Sequence, residues 1–415
     1  MPLSAGAPVF SGGNRARLLQ GGDELFPAMV QAIAQARAQV WLATYLFNDD
    51  SAGQQISDAL VAAAARGVLV QLVVDGFGSL PALPQLRARL SRPNLGLHVF
   101  RPLDRWTAWL QPEQLRRLHH KLCVVDAEVA FVGGINIIDD RFDRSHGHTD
   151  LPRLDFAVEL RGPAVLQVQQ VARALALRAR LGREWRAELR GLAQRSRRLG
   201  RAQALLRRLQ VQRAHEVRAA DATAPVQVAI VVRDNLRRRH AIEHAYIDAI
   251  CSAQRRIDLA CPYFYPGQAF RRALVGAATR GVQVRLLLQG KVDYRIAAIA
   301  ARALYDALLA AGVRIYEYTP AFLHAKVAVV DDDWSTLGSS NIDPLSLLLN
   351  LEANAIVRDA AFAQELAARF DRACAVSFEV KAPPQRAGWR RWLSRGLVAW
   401  CATVFLRVAG ITGRY

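Results

Sequence analysis

"LHHKLCVVD", residues 118–126, returns as "LHAKVAVVD" at residues 323–331, and the fold is read outward from that return. Each copy is a His-x-Lys-x4-Asp motif: His119, Lys121 and Asp126 in the first, His324, Lys326 and Asp331 in the second. Seven residues after each Asp begins a run of small residues ending in Asn, Gly133-Gly134-x-Asn136 and Gly338-Ser339-Ser340-Asn341. Lysine is scarce, since Lys121, Lys291, Lys326 and Lys381 are the only lysines among 55 basic residues. Two of the four hold the same place in both copies, so that place needs a compact ammonium that the guanidinium fork does not replace.

The surroundings repeat as well. "ARGVLVQLVVDG" from Ala65 recurs as "TRGVQVRLLLQG" from Thr279. Before it, a helical pattern ("FPAMVQAIAQA"; "HAYIDAICSAQ") leads to a strand ending in aromatics ("VWLATYLF"; "IDLACPYFY"), then to a second helix ("SDALVAAAARG"; "RRALVGAATRG"). After it, another helix and strand ("LGLHVF"; "GVRIYEY") reach the His-x-Lys segment, at an offset a little over 200 residues throughout. This order predicts an α/β fold of two lobes related by internal duplication, each a mixed β-sheet flanked by helices, with a site at the pseudo-twofold interface. The expected divisions are a first lobe over 1–165, an Arg-rich helical connector over 166–222, a second lobe over 223–381 and a basic, Trp-rich tail over 382–415.

A chain of 415 residues with 52% hydrophobic and 22% charged residues suits two globular lobes with cores of their own. A net charge of +19 calls for an anionic partner: nucleic acid, an anionic membrane surface or a phosphate-bearing substrate. The five cysteines, Cys123, Cys251, Cys261, Cys374 and Cys401, are scattered and form no CxxC pair, which predicts a reducing compartment with neither zinc site nor disulfide framework. The start of the chain has no secretory pattern, and the apolar run "LVAWCATVFL" at 397–406 is too short to span a bilayer. The expected place is in or on the cytoplasmic side.

In each motif the residues before Asp alternate on a strand, so His119 and Lys121 share one face, as do His324 and Lys326. Lobes packed with pseudo-twofold symmetry would bring two imidazoles and two ammoniums onto one phosphate. Gly133, Gly134, Gly338, Ser339 and Ser340 would let backbone N–H groups approach its oxygens, with the Asn136 and Asn341 amides. One histidine would attack phosphorus while the other protonates the departing alcohol and deprotonates the incoming one. The lysines would stabilise charge on the non-bridging oxygens, without a metal or cofactor. Asp155 and Glu352 follow the motifs at strand-like positions, where a carboxylate behind an imidazole fixes its tautomer.

Other residues read differently. His120 points to the opposite face from His119 and reads as structural. The His146/His148 pair lies in a loop without a third ligand and reads as solvent-exposed, not metal-binding. Asp126 and Asp331 close buried runs, which favours a salt-bridge or turn role over proton transfer.

The doubled motif with its Gly and Asn follow-up resembles the phospholipase D superfamily. "CPYFYPGQAFRRALVGAATRGVQVRLLLQG" and "LHAKVAVVDDDWSTLGSSNIDPLSLLLNLEANAIV" are similar to bacterial cardiolipin synthases, in particular the cardiolipin synthase B group. The resemblance covers roughly residues 15–380. It implies a phosphohistidine mechanism in which one phosphatidylglycerol passes its phosphatidyl group to another and glycerol leaves. It carries the motif onto His119, Lys121, Asp126, Asn136, His324, Lys326, Asp331 and Asn341. Two departures stand out: Gly134 replaces a serine common in the superfamily, and the Arg-rich stretch between the lobes is not part of its pattern.

A lipid substrate requires a cleft that meets a bilayer. Trp106 and Trp109 stand among arginines just before His119, and Trp389, Trp392 and Trp400 among those of the tail, a composition suited to the headgroup boundary. The tail reads as an interfacial anchor, with docking on the protein's own core as the alternative. The connector reads as a solvated helical face or as a basic surface against headgroups. The expected partners are anionic phospholipid (phosphatidylglycerol) and a membrane surface, peripherally at the cytoplasmic side of the inner membrane, with no nucleic acid; the oligomeric state stays open. A hydrolase or nuclease on the same scaffold, or a non-catalytic membrane scaffold, are the competing readings.

Overall fold

The computed structural model describes residues 7–102, 116–143, 147–180, 224–234, 238–291, 295–343 and 350–381. Its topology states the same thing twice. The first sheet has the spatial order Arg15–Gln20, Phe156–Arg161, Val129–Gly133, Leu122–Val125, Gln39–Thr44, Leu69–Asp75, Leu95–Phe100. The second runs Gln227–Arg233, Glu352–Arg358, Trp334–Gly338, Val327–Val330, Arg256–Cys261, Gln283–Gln289, Arg314–Tyr318, and adds Phe378–Val380 at its far edge. Within each, the last three matched strands are parallel and the others antiparallel, so both sheets are mixed.

Helices connect the parallel strands and cover the outer faces. Ser51–Ala65 is rich in alanine, starts where the Asp50 carboxylate accepts the Gly53 N–H at 3.0 Å, and stops at Gly67, whose positive φ suits a residue without a Cβ. It packs with Gly21–Ala34 and Leu83–Leu90 against the first sheet. Ala241–Ser252, Gln268–Thr279 and Arg295–Ala310 do the same for the second. Two further helices, Ala164–Arg180 and Ala360–Ala375, lie between the sheets, each on the inner face of its own lobe and each touching the other lobe's edge strand. The result is five layers: helices, sheet, helices, sheet, helices.

The alternation of the motif strands explains why they are apolar throughout. Leu122 and Val124 enter the core shared by the lobes, while Cys123 and Val125 enter the outer core of the first. Val327 and Val329 face the shared core, with Ala328 and Val330 in the outer core of the second. A strand buried on both faces reads as a continuous apolar run. The helix Ala164–Arg180 buries Val165, Val168, Ala172, Leu175 and Ala176, so the boundary drawn at 166 cuts an element that belongs to the lobes. The rest of the proposed connector and the Trp-rich tail lie outside the described residues. Among the described residues no helix is long and apolar enough to cross a membrane.

Candidate active site

The His-x-Lys segments enter their strands at the end where the neighbouring parallel strands finish. Val40 pairs with Val125 and Ala43 with Leu122, so His119 and Lys121 come level with Thr44 and Tyr45. Val330 pairs with Ile257 and Val327 with Ala260, which repeats the placement for His324 and Lys326 beside Cys261. Ligand crevices of open α/β sheets form at these carboxyl ends.

Backbone pairing across the lobes then fixes the two histidines. The His119 N–H donates to the Leu351 carbonyl at 3.0 Å, and the Leu351 N–H returns to Arg117 at 2.8 Å. On the other side, the Leu154 N–H donates to Phe322 at 2.8 Å, and His324 donates to the Leu154 carbonyl at 2.8 Å. Each bridge ends one residue short of a carboxylate. Glu352 Oε2 therefore meets His119 Nδ1 at 2.9 Å, and Asp155 Oδ2 meets His324 Nδ1 at 2.5 Å. The carboxylate behind each imidazole comes from the opposite lobe. With Nδ1 engaged, each ring keeps Nε2 for chemistry.

The ammoniums are buried beside them. Lys121 is 5% exposed and donates to the His119 carbonyl at 3.0 Å; Lys326 is 1% exposed and donates to the His324 carbonyl. Burial lowers both lysines, Lys121 to about 7, with Glu352 and Asp155 working against the fall. Burial also lowers both histidines, and the nearby lysines push in the same direction, so the rings favour the neutral form. Each site ion thus answers to charges in both lobes.

The two carboxylates differ. Burial pushes Asp155 up to about 7. Glu352 feels the same push, yet His119, Lys121 and the Ser339 hydroxyl, which donates to its Oε2 at 2.5 Å, hold it below its usual value. Gly134 is the counterpart of Ser339, and a Cβ there would stand 2.3 Å from Asp155 Oδ1. The glycine that departs from the superfamily pattern is required by how closely Asp155 approaches the backbone.

The remaining sequence-predicted residues divide. A Cβ on Gly133 would run into Phe156 and Ala157, and one on Gly338 into Ala353 and Asn354, so both are set by contact with the neighbouring strand. Asn136 is buried and accepts the Leu46 N–H at 3.3 Å; Asn341 is buried, and Ser340 Oγ donates to its carbonyl at 3.3 Å. The resemblance carries Asp126 and Asp331 along with the catalytic histidines and lysines, but both stand at the far ends of the strands, away from the histidines. Asp126 accepts the N–H groups of Arg37, Ala38 and Gln39 at 2.7 to 2.9 Å, and Asp331 those of Gln254, Arg255 and Arg256. Partial burial would raise them, but these N–H groups hold both below the usual carboxylate range. Both have φ near +50°, which Asp tolerates better than most residues, so they make the turn into the next strand.

His120 faces away from His119, fully enclosed, with burial lowering it to about 3 and neither ring nitrogen hydrogen-bonded among the described residues. His146 lies outside the described residues, and His148 rests against the Phe142 ring at 5.2 Å. Trp106, Trp109, Trp389, Trp392 and Trp400 also lie outside them. Among the described residues no cluster of three or more His, Cys, Asp or Glu side chains suits a metal. One site neighbour went unnoticed in the sequence. Tyr45 sets its ring 5.1 Å from His119 and under Lys121 Nζ at 5.5 Å. Its signal was the aromatic end of "VWLATYLF".

The family model for "Cardiolipin synthase, PLD-like domain" matches this chain twice, over residues 29–148 and 246–374. The chain belongs to that family. Cardiolipin synthase B of Shigella flexneri is 36% identical over 355 residues, covering 85% of this chain and 79% of that one. Cardiolipin synthase 2 of Bacillus cereus is 31% identical over 343 residues, covering 83% and 61%. Among solved structures, phosphatidylserine synthase from Haemophilus influenzae Rd KW20 shares the fold, with a TM-score of 0.64 at 13% identity over 98% of this chain and 96% of that one. The twofold match of the PLD-like domain corresponds to the twofold topology, and Asp155, which backs His324, falls just beyond the first matched segment.

Proposed function

We propose that this protein is a cardiolipin synthase that joins two phosphatidylglycerol molecules and releases glycerol through a phosphohistidine. The observation that carries the reading is the pair of imidazoles, each held at Nδ1 by a carboxylate of the other lobe, with a buried lysine beside each. His119, backed by the ionised Glu352, is suited to attack: its Nε2 forms the bond to phosphorus as the bond to the glycerol oxygen breaks. His324 passes its Nε2 proton to that oxygen while the Asp155 proton moves to His324 Nδ1, so neutral glycerol leaves and the ring stays neutral. The second phosphatidylglycerol then gives its hydroxyl proton to His324 while its oxygen displaces His119, which regenerates both rings. Lys121 and Lys326 offset the charge on the phosphoryl oxygens throughout.

An anionic phospholipid substrate suits the net charge of +19, and the proposed place is the cytoplasmic surface of the inner membrane, held peripherally. The test is purified protein with phosphatidylglycerol, the lipids identified by mass spectrometry. Cardiolipin and glycerol are expected, and both should vanish in His119→Ala and His324→Ala. Phosphatidic acid alone would make the protein a hydrolase. Unchanged lipids, or full product in either variant, would overturn the reading.

A further inference from the structure

Nine large apolar side chains are exposed among the described residues, and four of them stand at the mouth of this site: Phe77, Leu80, Phe142 and Leu151, at 42%, 44%, 37% and 49%. Two flank His119. The buried Asp75 accepts the N–H of Phe77 at 2.9 Å on one oxygen and that of Leu118, next to His119, at 2.8 Å on the other. Ser79, next to Leu80, donates to the Tyr45 carbonyl at 3.0 Å, and the Tyr45 ring rests on His119. The other two flank His324. Leu151 precedes by three residues Leu154, whose carbonyl accepts the His324 N–H, and Arg153 between them donates to the Phe142 carbonyl at 3.5 Å.

The apolar tips are interleaved with cations. The Arg117 guanidinium lies over the Phe77 ring at 5.2 Å, Arg101 follows the strand end beside it, and Arg153 sits between Leu151 and Leu154. Aromatic and aliphatic side chains mixed with arginine around a concave site match the boundary between anionic headgroups and acyl chains. A solvated protein surface has no reason to gather its exposed apolar groups on both sides of one cleft.

We propose that Phe77, Leu80, Phe142 and Leu151 form a rim that dips into an anionic lipid surface, seating both histidines against the bilayer. The proposal rests on the reading of a lipid substrate, but it concerns attachment and is tested without turnover. The probes are vesicles of phosphatidylglycerol with phosphatidylcholine, and of phosphatidylcholine alone, sedimented with the full chain. Two double variants, Phe77→Ser/Leu80→Ser and Phe142→Ser/Leu151→Ser, are compared with Leu69→Ser. Leu69 is 45% exposed but begins the strand that ends at Asp75, so it lies at the opposite end of the sheet.

Each double variant should weaken binding to the anionic vesicles about tenfold, and Leu69→Ser should leave it unchanged. Melting temperatures should stay within about 3 °C of the parent. Undiminished binding in both double variants, or an equal loss in Leu69→Ser, overturns the proposal. A marked fall in melting temperature would mean that the chain itself covers these side chains, and a change in sedimentation coefficient that a second copy does; either also overturns it. Loss of vesicle binding in a protein that makes no cardiolipin would retire the synthase reading and leave the rim standing.

Discussion

Returning a serine to position 134, the residue common in the superfamily, should damage this protein. The Cβ of any side chain there would lie 2.3 Å from Asp155 Oδ1 and 2.8 Å from Oδ2, where ordinary contact begins at 3.4 Å. Something must yield by roughly 1 Å, and overpacking of that kind costs about 1 to 3 kcal/mol. Asp155 has little freedom to yield. It is 1% exposed, its Oδ1 holds the Phe156 N–H at 2.8 Å, and its Oδ2 holds His324 at 2.5 Å. The carboxylate can retreat only by dragging the imidazole, and misplacing a catalytic group by about 1 Å lowers turnover on the order of a hundredfold. The other lobe shows the remedy, because Glu352 is long enough to accept from the Ser339 hydroxyl and still hold His119. Gly134→Ser/Asp155→Glu rebuilds that arrangement and should recover much of the loss. Cardiolipin formation from phosphatidylglycerol, followed by mass spectrometry beside thermal melts, measures both effects. Gly134→Ser with activity within about threefold of the parent, or a double variant no better than the single, would refute the reasoning.

Lys121→Arg and Lys326→Arg keep the charge but need room that side chains 5% and 1% exposed do not have, so each should lower activity about a hundredfold or more; near-parental rates in either would show that charge alone suffices. Asp126→Ala removes the acceptor for three backbone N–H groups far from the histidines, and should lower stability by on the order of 1 to 3 kcal/mol while folded protein keeps its rate. Chemical denaturation with activity per folded molecule checks this, and a lost rate at parental stability would return Asp126 to the catalytic set. The Asp155–His324 pair keeps its proton below about pH 7 and loses it above, because burial raises the carboxyl to that value. Donor cleavage should therefore fall as pH rises through about 7, and a rate that stays flat to about pH 9 would remove the pair as proton donor.

Much of this was legible because duplication writes each feature twice. The repeat of "RGVLVQLVVDG" as "RGVQVRLLLQG" gave the parallel strands Leu69–Asp75 and Gln283–Gln289 their places, and the apolar runs after each lysine gave the strands buried on both faces. Motif spacing alone would place Asp126 and Asp331 beside the lysines, whereas their position at the end of a buried run points to the turn they make. A residue five positions beyond a lysine on a strand lies far from it, and a regular interval records the hairpin turn as faithfully as it records chemistry. The strand edge Phe378–Val380 has no counterpart among the described residues of the first lobe and therefore no echo there to reveal it. Tyr45 was visible only as an aromatic, since its contact with His119 depends on the pairing of two strands almost 80 residues apart in sequence.

The exchange of carboxylates could not be read from either copy, because within each the acid follows its own motif. It arises from the bridges Leu118 to Leu351 and Leu154 to Leu323, which lay each pre-motif segment beside the other lobe's acid. Neither lobe therefore contains a complete histidine site: His119 without the second lobe loses Glu352, and His324 without the first loses Asp155. Such a site exists only while the lobes are docked, and the central layer of helices Ala164–Arg180 and Ala360–Ala375, each packed on its own sheet and against the other lobe's edge strand, joins the strand contacts and bridges in holding them. An apolar substitution in that layer, at Val168 or Leu366, both 0% exposed, should for this reason damage both histidines together, although neither residue belongs to the site.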